Sequence, residues 1–107
     1  MLITTQDRFD DHRIVKTIGL VKGSTIRARH IGTDIMAGLR NIVGGEVHEY
    51  TKMLAESREQ SIDRMVADAK NMDANAVVCM RFTTSTIMSG MAEFMAYGTA
   101  VRIEPNN

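Results

Sequence analysis

The sequence predicts a small α+β domain, and three observations carry that expectation. Residues from about Glu46 to Met72 repeat apolar side chains at helical spacing. Segments on either side are rich in β-branched residues and are bounded by glycine, serine and asparagine, the pattern of strands between turns. The strands so defined are apolar on both faces, so their sheet needs cover on two sides.

In chain order, Leu2-Ile3-Thr4-Thr5 reads as a short strand and Asp7 to Asp11 as a turn. Ile14 to Lys22 reads as a strand ended by Gly23-Ser24, with extended chain from Thr25 to Gly32. Thr33 or Asp34 can cap a short helix that runs to about Val43, and Gly44-Gly45 stops it because glycine takes the left-handed conformation cheaply. The long helix follows, with Glu46 and Glu49 in its first turn and Lys70 in its last, as the helix dipole favours. Its expected apolar stripe is Tyr50, Leu54, Ile62, Met65, Ala69 and Met72; Glu49, Lys52, Glu56, Glu59, Asp63 and Lys70 take the solvated side. Asp73-Ala74-Asn75 forms the exit turn. Ala76 to Phe82 is the next strand, Thr83 to Gly90 a polar loop, Ala92 to Ile103 the last strand, and residues 104–107 a frayed tail.

Ile14, Ile18 and Leu20 are expected on one face, opposed by Val15 and Val21. Val78, Met80 and Phe82 likewise oppose Val77 and Cys79, and Phe94, Ala96 and Ala100 oppose Met95, Tyr97, Val101 and Ile103. One helix covers one face. The short helix can cover part of the other, and a neighbouring copy is the natural cover for the rest, which predicts a homo-oligomer.

The 107 residues fit a single domain, 1–107. Thirteen basic and thirteen acidic residues leave no basic run of the kind that nucleic acid or an acidic membrane surface selects. The single cysteine, Cys79, staples nothing within the chain. With no signal-like start and no stretch near the ~20 apolar residues of a membrane span, a cytoplasmic location is expected.

No catalytic residue can be named, so no enzyme is expected. No serine or cysteine sits in a nucleophile motif, and the Glu59 and Asp63 pair belongs to the wet side of the helix. Gly44-Gly45 lacks the Lys and Ser/Thr of a phosphate loop. His48, Glu49 and Cys79 are weak metal-ligand candidates, since none stands at a ligand spacing. Met88, Met91 and Met95 offer soft sulfur but read first as packing. Arg58 is placed in the middle of the apolar stripe, where three readings stay open: a stem that packs while its head reaches water, an ion pair between subunits, or an anchor for an anionic ligand.

Asp34, the run Ala37-Gly38-Leu39-Arg40-Asn41-Ile42-Val43-Gly44-Gly45, Tyr50, Leu54, Arg58-Glu59, Ala74, Ala76-Val77-Val78 and Gly98-Thr99-Ala100-Val101 together resemble the YbjQ-like family over nearly the whole chain. This is a family of small proteins of unknown function that carries a heavy-metal-binding label. The resemblance implies a β-α-β-β core similar to dodecin subunits, an antiparallel sheet with one long helix, and an oligomeric ring, a pentamer. It implies shared ligand or interface roles for Asp34, Arg40, Tyr50 and Arg58, and backbone roles for Gly38, Gly44, Gly45 and Gly98. The family pattern favours glycine where this chain has Cys79, Gly-Ala-Asp where it has Asp73-Ala74-Asn75, and small residues near His48. The expected function is therefore that of a homo-oligomeric module binding a metal ion or small ligand. The alternative is a purely structural or protein-interaction ring.

Overall fold

The computed structural model describes residues 1–27, 48–88 and 91–107, the side chains of 48–50 excepted. The expected short helix, with Asp34, Gly38, Arg40, Gly44 and Gly45, lies outside the described residues. The elements are β1 (Leu2–Ile3), β2 (His12–Arg27), α1 (His48–Asn71), β3 (Ala76–Met88) and β4 (Met91–Pro105). They form one sheet in the order β1-β3-β4-β2 with α1 packed against it.

The sheet is mixed, not antiparallel. β2 and β3 both run antiparallel to β4, so they are parallel to each other, and α1 lies on the crossover between them. β1 pairs parallel with the start of β3, Leu2 with Ala76 and Ile3 with Val77.

Three strand boundaries differ from the sequence expectation, each for a local reason. β2 runs through Gly23-Ser24 to Arg27. Gly23 is there because the helix backbone passes directly over it: a Cβ at this position would collide with Met65 N and Ser61 O and lie 2.7 Å from Arg64 Cβ. β3 continues through Thr83 to Met88, in register with Met95 to Met91 of β4. This segment is polar, but threonine suits a pleated strand. β4 reaches Pro105 because Arg13 holds its end, donating to Pro105 O at 2.9 Å and to Glu104 Oε2 at 2.6 Å.

Both faces of the sheet carry a core. On the helix side Val21, Val77, Met80, Ala96 and Ala100 pack with Met65 and Ala69. On the other side Ala76, Val78, Val101 and Ile103 pack with Phe9 and Cys79. Phe9, from the segment between β1 and β2, thus supplies part of the second face's cover.

The expected assignment of side chains to faces fails at β-bulges. β3 carries an extra residue between Val78 and Arg81, and Cys79 there has φ 56°. The bulge brings Val77 and Met80 onto the same face, against the simple alternation expected from the sequence. Bulges between Ile14 and Lys16 and between Thr17 and Gly19 shift β2 in the same way.

The buried line of α1 also differs from the expected stripe. It is Ser57, Ser61, Met65 and Ala69, with Leu54 and Ile62 half-buried and Met72 and Arg58 exposed. Gly23 of the sheet lies directly beneath the helix backbone at Ser61 and Met65, which lets the helix sit close. The serines need partners at that depth, and they have them. The Ser57 hydroxyl accepts from Arg27 Nε at 2.6 Å and donates to Met53 O at 3.0 Å. Ser61 Oγ lies 2.9 Å from both Ser57 O and Phe94 O, sharing its one proton between them, and the Thr25 hydroxyl is 3.3 Å away. Ser61→Ala is expected to lower stability by about 1–3 kcal/mol, because it leaves the Phe94 carbonyl beneath the helix without this donor. Urea denaturation would check this against Glu59→Ala on the exposed side, which should change little.

Candidate functional site

A polar hollow forms where the N-terminal segment crosses the Cys79 bulge. After β1 the chain stays beside β3: Met80 N donates to Thr4 O at 3.1 Å, and Cys79 N donates to Gln6 O at 2.8 Å. Arg81 Nη1 reaches back to Thr5 O at 2.7 Å and Met80 O at 2.8 Å. The result is a shallow hollow of about 610 Å³, open to solvent and lined by Thr5, Gln6, Asp7, Arg8, Asp10, Cys79 and Arg81.

This hollow puts two carboxylates, two guanidinium groups and a half-buried thiol around one volume. Its charges oppose one another, which suits a polar ligand more than a simple ion. Beside it, Asp11 Oδ1 and His12 Nδ1 approach to 2.7 Å. The hydrogen bond with His12 holds the Asp11 carboxyl below its usual range. A carboxylate lowered in this way contributes stability above its unfolded pKa and loses that contribution as pH falls through the lowered value.

The left-handed backbone at Cys79 gives the hollow its shape, and it is a conformation that glycine takes without strain. A side chain in that region costs about 1–2 kcal/mol. Cys79→Gly is expected to be neutral or mildly stabilising, and Cys79→Val, with its branched Cβ, to cost about 1–2 kcal/mol. Chemical denaturation of the two variants against the parent decides the sign.

The sequence-derived candidates fall in several places. Asp34, Arg40, Gly38, Gly44 and Gly45 lie outside the described residues. His48, Glu49 and Tyr50 occupy the first turn of α1. Arg58 is exposed on α1. Gly98 faces the bulge, where an added Cβ would come 2.7 Å from Val77 Cγ1 and 3.0 Å from Val78 O. Cys79 packs on the face of the sheet away from the helix. Among the described residues, no three of His, Cys, Asp and Glu come together as a metal ion requires. The donors described within one chain therefore do not fit a metal centre. Sequence reasoning missed Arg81, Asp7 and Asp10, which meet only through the pairing of β1 with β3.

Fold and site together define a class: an α+β domain of one described helix on a four-stranded mixed sheet, with a polar hollow beside the start of β3. The chain belongs to the YbjQ family. A family model described as "Putative heavy-metal-binding" matches residues 1–104. A UPF0145 protein of Dehalococcoides mccartyi is 57% identical over 97% of this chain and 100% of its own length. A UPF0145 protein of Thermus thermophilus is 47% identical over 98% of this chain and 92% of its own. A crystal structure of a protein of unknown function from Pediococcus pentosaceus, assigned to the DUF74 family, has a similar fold, with a TM-score of 0.64 at 13% identity over 97% of this chain and 98% of that one. The family is uncharacterised, and no reaction is assigned to it. None of the described helices is long and apolar enough to cross a membrane.

Proposed function

We propose that this protein is a non-enzymatic homo-oligomeric binding module, a ring of five copies in the cytoplasm, with a metal ion or small ligand held between copies. The observation that carries this reading is the apolar surface left on both faces of the sheet. Leu20 is 66% exposed and Ile26 55% exposed on the face away from the helix, and Phe82, Ile87 and Met88 are exposed along β3. Apolar groups this numerous on one small chain mark a surface that is covered in use. The described donors of one chain do not assemble a metal site, so the proposed ligand is placed where copies meet. Arg58, exposed on α1, and the hollow at Cys79 are the groups available to such a boundary.

Native mass spectrometry of protein purified without a metal-affinity column tests this directly. The expected result is a pentamer carrying extra mass that acid or chelator removes. A pentamer of bare subunit mass would overturn tight ligand binding and leave a structural or protein-interaction ring. A stable monomer would overturn the proposal.

A further inference from the structure

We infer that the sheet face away from α1 holds a nucleoside monophosphate, its ring laid on Tyr97 and its phosphate taken by Arg81 and Lys22. This rests on the ligand-binding reading above and names the class of ligand; it does not depend on the number of subunits.

The register of the three long strands puts these side chains in one row. Tyr97 of β4 stands opposite Lys22 of β2 and opposite Arg81 of β3. Directly opposed residues of antiparallel strands share a face. Gly23 and Ala96, one position along, lie on the helix side, so the row is on the other face. Each cation-bearing strand runs about 5 Å to one side of the strand that carries the ring. The floor continues to Met95, two residues along β4, with Ser24 and Thr83 beside it. Tyr97 and Met95 are half-buried and Lys22 and Arg81 exposed.

The three groups of the row are available. Among the described residues, the Tyr97 side chain has no hydrogen bond and no ring stacked on it, and the Lys22 ammonium has no ion pair. Arg81 uses Nη1 alone, on Thr5 O and Met80 O, which holds the guanidinium in place and leaves Nε and Nη2 to donate. Glu93 is two rows away, opposite Ile26 and Ser85. Asp7 and Asp10 share the hollow with Arg8 and Arg81, two acids against two bases, so Lys22 leaves the site with a positive surplus.

A ring with cations on both sides suits a flat ring joined to an anion. Stacking accepts any base, and a guanidinium fork with an ammonium pairs phosphate oxygens. A bare anion would leave the Tyr97 and Met95 floor in water, and a bare ring would leave the cations unpaired.

Titration calorimetry with adenosine monophosphate at low salt tests this, with adenosine and inorganic phosphate as separate titrants. The nucleotide should bind at least about 10-fold more tightly than either half. Tyr97→Leu should weaken it about 10-fold, and Tyr97→Phe should retain it. Lys22→Gln, at an exposed position that spares the fold, should weaken it and flatten its salt dependence. Lys22→Gln keeps the test decisive if Tyr97→Leu does not fold. No binding, phosphate bound as tightly as the nucleotide, or a Lys22→Gln variant that binds like the parent would each overturn the inference. Native mass spectrometry of the same sample separates the two readings. A pentamer that ignores the nucleotide overturns this inference alone, and a monomer that binds it supports this inference while the ring falls.

Discussion

Replacing Gly23 by alanine is expected to cost about 3 kcal/mol or more, the upper part of the range for forcing atoms into a filled core. The reason is backbone against backbone. The atoms that a Cβ would meet are Met65 N and Ser61 O, in the middle of α1, with Arg64 Cβ at 2.7 Å. A flexible side chain can swing aside, but a helix backbone moves only as a whole. To admit one methyl group, α1 would have to lift from the sheet. That would loosen Met65 against Val21 and Val77 and pull Ser61 Oγ from Phe94 O, now 2.9 Å away. A domain of this size is stable by about 5–15 kcal/mol in all, so the midpoint of thermal unfolding should fall by more than about 10 °C. Gly19 provides the comparison. An alanine there would meet only Met72 Cε at 3.8 Å, but its φ of 150° makes the change a strain on the backbone instead of a clash with the helix. If Gly23→Ala unfolds at the parent temperature, α1 does not lie as close to β2 as described.

The same close approach explains what the sequence showed and what it hid. The long helix was legible because Leu54, Ile62, Met65 and Ala69 recur at helical spacing, and apolarity on both faces was legible because Val77-Val78 and Ala100-Val101 each place adjacent apolar residues on opposite faces. The buried line of the helix was misread because Ser57 and Ser61 look like surface residues. Both are buried, Ser61 where Gly23 lets the helix backbone come close, and both are made tolerable by Phe94 O, Met53 O and Arg27, partners 4 to 33 residues away. Thr83 to Met88 read as loop because hydroxyls suggest solvent, but a strand with an exposed surface accepts them. The bulge at Cys79 reversed the expected sides of β3 through one φ angle, which no periodicity reveals. The polar hollow was invisible for a topological reason: Asp7 and Arg81 are neighbours only because β1 runs parallel to β3.

Met65→Ala should lower stability by about 2–5 kcal/mol, the cost of removing a large buried side chain whose surroundings cannot fully collapse. Met65 is fully buried and, among the described residues, is the largest side chain of which this is true. Around it stand Val21, Val77, Met80, Ala69 and Ala96. Collapse of these into the space left by Met65 is resisted by the contacts that already fix the helix height. Gly23 is in backbone contact with α1, and Ser61 is hydrogen-bonded to the Phe94 carbonyl, so the helix cannot drop onto the smaller residue. The loss should therefore lie in the upper half of the range. Met72→Ala is the matched control: the same atoms are removed from a residue 37% exposed at the end of the helix, and less than about 1 kcal/mol should be lost. Leucine at position 65 should recover most of the stability, because the need there is for volume and not for sulfur. Urea denaturation of the three variants at one protein concentration measures all of this, and the fixed concentration matters because assembly adds to apparent stability. Equal losses at positions 65 and 72 would mean that the helix is not anchored at its middle.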